Sequence, residues 1–158
     1  MIVVSDTTPL NYLLLIGALH ILPSLYGRIE IPEAVHQELS APGAPDVVRM
    51  WASRLPEWMS VRRVDGINPS GRLHAGEAEA IALAVQRHAD LVLLDDWAAR
   101  TAAKSQGLAI SGTVGILAIA ADRGLVDLPM TVERLKATSF QASPKLFDAL
   151  LKQANPPR

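Results

Sequence analysis

Acidic side chains recur in this chain where folded proteins gather them for chemistry. Residues 76–96, GEAEAIALAVQRHADLVLLDD, have the pattern of a helix of about three turns, a short loop and a strand ending on two aspartates. At about 100° per residue, Ala78, Ile81, Ala82, Ala84 and Val85 share one side of that helix, and Glu79, Gln86 and Asp90 the other. Glu77 falls among the apolar residues, in line with Ile81. A carboxylate turned inward is costly unless a partner offsets its lost hydration, and a metal ion is one such partner. Residues 91–94, LVLL, are continuously apolar, as in a strand covered on both faces of a parallel sheet. The run stops at Asp95 and Asp96, and ligands of open α/β sheets gather beyond the carboxyl ends of strands. Capping of the helix that begins near Trp97 is the alternative role for either aspartate.

Two further acids repeat the pattern. Ile2, Val3 and Val4 form a short β-branched run that ends at Ser5 and Asp6. Thr8 suits the N-cap of the next helix and Pro9 its first position, which leaves Asp6 free at a strand end. In the helix over residues 33–39, Glu38 lies between Ala34 and Val35 on the apolar side, while Glu33, His36 and Gln37 face water. A lone Glu at a core edge is ordinarily a solvated side chain; the companions Asp6, Glu77 and Asp95 change that weighting. In a parallel α/β sheet, strand ends and the first turns of the following helices share one rim. Clustered carboxylates there cannot all stay ionised without cations. Oxygen donors favour a hard ion, Mg²⁺ or Mn²⁺, over zinc. His20, His36, His74 and His88 show no recurring ligand spacing, and His88 reads as a core-edge histidine.

The remaining elements must position this rim. Residues 10–25 are apolar nearly all round and interrupted at Gly17, which predicts two short helices and a candidate subunit interface, hence a homodimer. Residues 28–31 alternate like a strand, residues 41–45 form a turn, and residues 46–55 form a helix with Val47, Val48 and Trp51 inward. Residues 58–64 are a weak strand, and residues 65–71 a loop whose length suggests mobility beside the central helix. Arg72 and His74, at that helix's approach, could meet phosphates or simply be solvated. After Asp96 a helix over residues 97–105 carries Arg100 and Lys104 on one face. A small-residue strand, 108–110, leads into Ser111, Gly112 and Thr113, which open a helix over residues 114–122. Such a start can hold an anion through free N–H groups, and capping explains it equally. Ser111, Thr113 and Arg100 are candidates for the substrate side. The tail, residues 130–153, reads as two short helices capped near Thr131 and near Ser143 and Pro144.

Bulk properties narrow the classes. The 158 residues are enough for one domain with a real core; 49% are hydrophobic and 20% charged, an ordinary folded composition. With no cysteine there are no disulfides, thiolate metal sites or Cys nucleophile. That absence, and a start without a signal peptide, lead us to expect a cytoplasmic protein. The most apolar segment, residues 10–22, is too short to span a bilayer, so no membrane association is expected. The net charge of −1 provides no basic footprint, so any nucleic-acid binding needs cations to offset repulsion.

Taken together, these motifs resemble the PIN-domain family, close to the VapC-type ribonucleases and related PIN-like families. The resemblance rests on Ser5-Asp6-Thr7-Thr8-Pro9-Leu10, on Ile31-Pro32-Glu33-Ala34-Val35 with Glu38-Leu39, on Gly76-Glu77-Ala78-Glu79-Ala80-Ile81-Ala82, and on residues 91–96. It covers residues 1–125, with residues 126–158 a helical C-terminal extension packed on the same domain. It implies a three-layer α/β/α fold with a central, mostly parallel sheet. It places the family's four acidic roles on Asp6, Glu38, Glu77 and Asp95. The family commonly has Asp at the third of these, and Asp96 stands as a substitute or fifth member. The implied activity is Mg²⁺- or Mn²⁺-dependent hydrolysis of RNA phosphodiesters, with Asp6 and Asp95 as direct ligands. Many family members are toxins silenced by a small antitoxin protein. Two other readings compete. One is a non-catalytic PIN-like module that binds nucleic acid or protein. The other is a phosphatase or phosphotransfer protein, weakened because Thr8 stands where a second Asp is wanted.

Overall fold

The computed structural model describes residues 1–66 and 73–154. Residues 67–71 of the expected loop, and Arg72, lie outside them. The elements run β1 (Val3–Ser5), α1 (Thr7–Leu15), α2 (Ile21–Tyr26), β2 (Ile29–Pro32), α3 (Glu33–Leu39), α4 (Asp46–Ala52) and β3 (Met59–Arg62). There follow α5 (Ala75–Gln86), β4 (Leu91–Leu93), α6 (Trp97–Ser105), β5 (Ile110–Ser111), α7 (Thr113–Asp122), α8 (Leu128–Lys136) and α9 (Pro144–Ala154). The five strands form one sheet in the order β3-β2-β1-β4-β5, and every pair is parallel. This is the three-layer α/β/α architecture that the family resemblance implies, around the parallel sheet that the apolar strand runs predict.

Period-two alternation divides the core between the two sheet faces. Val3, Ile29, Ile31 and Leu93 pack with α1, α2, α4 and α7, whereas Val4, Val92 and Leu94 pack with α5 and α6. On the second face the helices meet the sheet through small residues, Ala80 and Ala84 from α5 and Ala99 and Ala103 from α6. Each fully buried Leu or Ile of this core contributes about 1.5–3 kcal/mol relative to an exposed one.

The apolar segment after β1 is used within the chain. Gly17, at φ +71°, separates α1 from α2. Leu10, Leu13, Ile21 and Leu22 are fully buried, in one cluster with Val132 and Leu135 of α8 and Phe147 and Leu150 of α9. Much of the segment's apolar surface is thus buried within the chain, while Leu15 stays 36% exposed.

Local expectations are corrected in several places. Asp6, not Thr8, holds the N-cap position of α1, yet its side chain makes no capping bond. Val47 is 48% exposed, because the short α4 buries only the i, i+4 pair Val48 and Ala52. The buried face of α5 is Gly76, Glu77, Ala80, Ile81, Leu83 and Ala84, so Val85 faces outward and Ala78 and Ala82 are half-buried. A helical wheel orders residues by angle but does not say at which angle the helix meets the sheet. His88 is exposed, at φ +50°, just past the end of α5. Asp127, not Thr131, caps α8, accepting from the Met130 N–H at 3.2 Å, while the Thr131 hydroxyl donates to the Asp127 carbonyl at 2.7 Å. Ser143 caps α9 as expected, accepting from the Leu146 N–H at 3.2 Å.

Candidate active site

Strand order reverses between β1 and β4, the point where open α/β sheets place their ligand crevice. Asp6 follows β1 and Asp95 follows β4. Ser5 pairs with Leu93, and the Asp6 N–H donates to the Leu93 carbonyl at 3.0 Å, so the ladder runs to the first acid itself. Asp6 is 1% exposed, and neither carboxylate oxygen has a hydrogen-bond partner among the described residues. Burial pushes its pKa up to about 7; the nearby Thr7 backbone N–H pulls it back, short of hydrogen-bond geometry, and Glu77 and Glu38 raise it further.

Glu38 and Glu77 reach Asp6 from two helices. Glu38, on the last turn of α3, accepts from the Thr7 hydroxyl and from the Gly76 N–H at 3.0 Å. A Cβ at position 76 would lie 2.5–2.6 Å from the Glu38 carboxylate oxygens, so glycine there leaves room for that carboxylate against the start of α5. Glu77 is 2% exposed; its Oε1 accepts from the His74 N–H at 3.2 Å and lies 3.4 Å from His74 Nε2. Burial pushes the Glu77 carboxyl above its usual range, against the pull of His74. The inward turn expected of Glu77 is present. Glu79 is half-buried, with Oε1 3.3 Å from the Ala34 N–H, so it touches the first turn of α3 rather than standing free in solvent.

Beyond β4 the aspartates divide their roles. Asp96 caps α6, accepting from the Ala99 N–H at 3.0 Å. Asp95 accepts from the Thr113 N–H at 2.8 Å and from its hydroxyl at 2.6 Å. Burial raises the Asp95 pKa, while Thr113 and then Arg100 oppose the rise. The helix start at Thr113, expected to take an anion, already holds this internal one. Thr113 is fully buried and therefore orients Asp95 instead of touching substrate. Arg100 spends one N–H on the Leu94 carbonyl, at 2.9 Å, and with Ser111 and Asp95 lines a cavity of about 580 Å³.

A groove of about 390 Å³ is lined by Glu77, Asp95 and Asp96 together with His74, Tyr12 and Phe140. The last of these lies in the C-terminal tail, whose reach into the site has no signature in residue spacing. Tyr12 anchors it: its hydroxyl lies 2.9 Å from Ser139 Oγ, and its ring meets Phe140 edge-on at 5.0 Å. His74, expected at the helix's approach, is the N-cap residue of α5, and its His-x-x-Glu spacing to Glu77 resembles a capping box.

The site's fit to a divalent cation rests on charge and donor type. Asp6 offers two buried oxygens with no partner among the described residues, Glu77 and Glu38 lie within electrostatic reach of it, and Asp95 lines the same groove as Glu77, a donor set suited to Mg²⁺ or Mn²⁺. Among the described residues, no group of three or more His, Asp or Glu side chains already forms a shell that could hold an ion.

A parallel sheet in this order, with acids at its switch point, defines an α/β protein of the PIN type. The family model described as PIN domain matches residues 2–156, and the chain belongs to that family. The match runs through the C-terminal tail. PIN domains are generally nucleases and commonly use divalent metals. Among solved structures, a PilT N-terminus domain protein from the hyperthermophilic archaeon Sulfolobus solfataricus has the same fold. It is 18% identical, with a TM-score of 0.52 over 90% of this chain and 100% of the other. No curated protein gives a significant match. Among the described residues, no helix is long and apolar enough to cross a membrane.

Proposed function

We propose that this chain is a divalent-metal-dependent endoribonuclease that hydrolyses RNA phosphodiesters at the rim formed by Asp6, Glu38, Glu77 and Asp95. One observation carries the reading: Asp6 is buried beside two other acids, with both oxygens unpartnered among the described residues. An isolated buried carboxylate is among the costliest groups a core can keep. Asp6, Glu77 and Asp95 would hold Mg²⁺ or Mn²⁺, with Glu38 binding directly or orienting the attacking water. Asp96, with Oδ2 engaged at the α6 cap, has only its other oxygen to add. When bound, such an ion lowers the pKa of a water and neutralises charge on the phosphate.

The surrounding residues act by positioning. Thr113 fixes both oxygens of Asp95, Thr7 and the Gly76 N–H orient Glu38, and the His74 N–H orients Glu77. Arg100, half-buried beside Asp95, supplies positive charge toward the RNA backbone. Cleavage of single-stranded RNA by wild type and Asp6→Asn, in Mg²⁺, Mn²⁺ and EDTA, tests the reading. Wild type should cleave only with metal. Asp6→Asn should lose more than the ~10–100-fold that removing a metal ligand's partner costs. Metal-independent cleavage, or an active Asp6→Asn, would sink it. The toxin role extends the reading through the family resemblance: a small co-encoded protein that abolishes the cleavage and the growth arrest on expression would support it.

A further inference from the structure

The cavity beside Asp95 has features that the four acids do not use. It is lined by Asp95, Arg100 and Ser111 on the sheet side and by Trp97, Phe140 and Gln141, among others. The acidic groove shares Asp95, Phe140 and Gln141 with it, so the two hollows adjoin. Aromatic residues make up only 4% of the chain. Trp97 nevertheless lies 75% exposed, directly after the Asp95-Asp96 pair, while Trp51 and Trp58 pack against each other elsewhere, half-buried. Among the described residues Trp97 belongs to neither hydrophobic cluster, so its indole stands in water beside the carboxylate rim. Arg100 keeps N–H donors beyond the one it gives to the Leu94 carbonyl. The volume, about 580 Å³, lies within the ~300–1,000 Å³ of small-ligand sites.

From this geometry we infer that the cavity is a nucleotide subsite: an unpaired base of single-stranded RNA stacks on Trp97, with Phe140 walling the hollow and Arg100 meeting the adjoining phosphate. The inference rests on the nuclease reading for the identity of the strand, and it adds where the nucleotide next to the acids is held. Unpaired bases are commonly taken up by aromatic faces, which every base can stack on, whereas a paired base offers no free face. The tail segment carrying Phe140 thereby becomes part of substrate binding. Its tie to Tyr12 through Ser139 sets the wall's position.

Binding is measured with Ca²⁺ in place of Mg²⁺ or Mn²⁺, so that a cation offsets the repulsion of the acids, with labelled single-stranded RNA whose integrity is checked afterwards, by anisotropy and by tryptophan emission. Wild type should bind the single strand with quenched emission and should not respond to the same sequence as a duplex. Trp97→Ala should weaken binding about tenfold and remove the quench. Trp97→Phe should restore most of the affinity, and an unchanged melting temperature shows that the exposed side chain is not structural. Equal affinity of wild type and Trp97→Ala, or equal quenching by duplex, overturns the subsite. If wild type with metal cleaves nothing yet binds in a Trp97-dependent way, the nuclease reading falls and the subsite stands. If it cleaves while binding ignores Trp97, the reverse holds.

Discussion

Thr113 holds Asp95 twice, by its backbone N–H to Oδ1 at 2.8 Å and by its hydroxyl to Oδ2 at 2.6 Å. Both contacts join the start of α7 to the end of β4, so the carboxylate is aimed by a neighbouring strand's helix. Thr113→Val keeps the shape and the N–H but removes the hydroxyl. A hydrogen bond to a charged group is worth ~1.5–3 kcal/mol, and the variant should lose about that in urea unfolding at neutral pH. Thr113→Ser should recover most of it. On the proposed mechanism, single-turnover cleavage should fall in the Val variant and return with Ser.

Asp6 predicts an unusual pH dependence. Its folded pKa, about 7, lies above its ordinary value of 3.8, so the native state keeps the proton where the unfolded chain has lost it. The stability this group contributes is fully present below pH 3.8 and is lost as pH rises through about 7. At ~1.36 kcal/mol per pKa unit the difference is at most about 4 kcal/mol. Asp6→Asn should therefore be more stable than wild type at pH 8 in EDTA, with the gap closing toward pH 4. Mn²⁺ should stabilise wild type at pH 8 and leave Asp6→Asn unchanged. Denaturant titrations at the two pH values, with and without Mn²⁺, check both statements.

Glu77 and Glu79 should separate cleanly. Glu77 is sealed in the acidic rim, whereas Glu79 is half-buried, with only a long contact to the Ala34 N–H. Glu77→Gln keeps an oxygen to accept the His74 N–H but not the charge. Metal-dependent cleavage should fall more than the ~10–100-fold typical of lost ligand partners. Glu79→Gln should stay within a few-fold and cost about 1 kcal/mol or less. Isothermal calorimetry with Mn²⁺ gives the same contrast without relying on turnover. Equal sensitivity of the two positions would contradict their assigned roles.

Gly76 offers a substitution that touches the site without touching the core. A methyl there meets the Glu38 carboxylate at 2.5–2.6 Å. The clash is with the end of a flexible side chain, so the carboxylate gives way before the backbone does. Gly76→Ala should change stability by about 1 kcal/mol or less, because better helix propensity offsets the displacement. Glu38 should lose the Gly76 N–H, and cleavage should drop. A circular-dichroism melt beside an activity assay distinguishes this from misfolding, which would lower both together.

Chemistry along the chain determined the element types and the acidic positions. The β-branched run before Asp6 and the apolar run before Asp95 specify buried parallel strands, and acids that end such strands lie at a carboxyl edge whatever the tertiary detail. Glu77 in line with Ile81 already pointed to an inward carboxylate. Tertiary structure alone decided which partner each polar group meets. Asp95 faces Thr113 because β5 lies beside β4, a neighbour relation between segments 18 residues apart that local pattern does not encode. Apolar residues of α1 and α2 join one buried cluster with residues of α8 and α9, over a hundred positions away. Phe140 reached the acidic groove by the same route. Periodicity reports which side of an element is apolar; only the closed fold, where distant surfaces compete for the same area, decides what covers it.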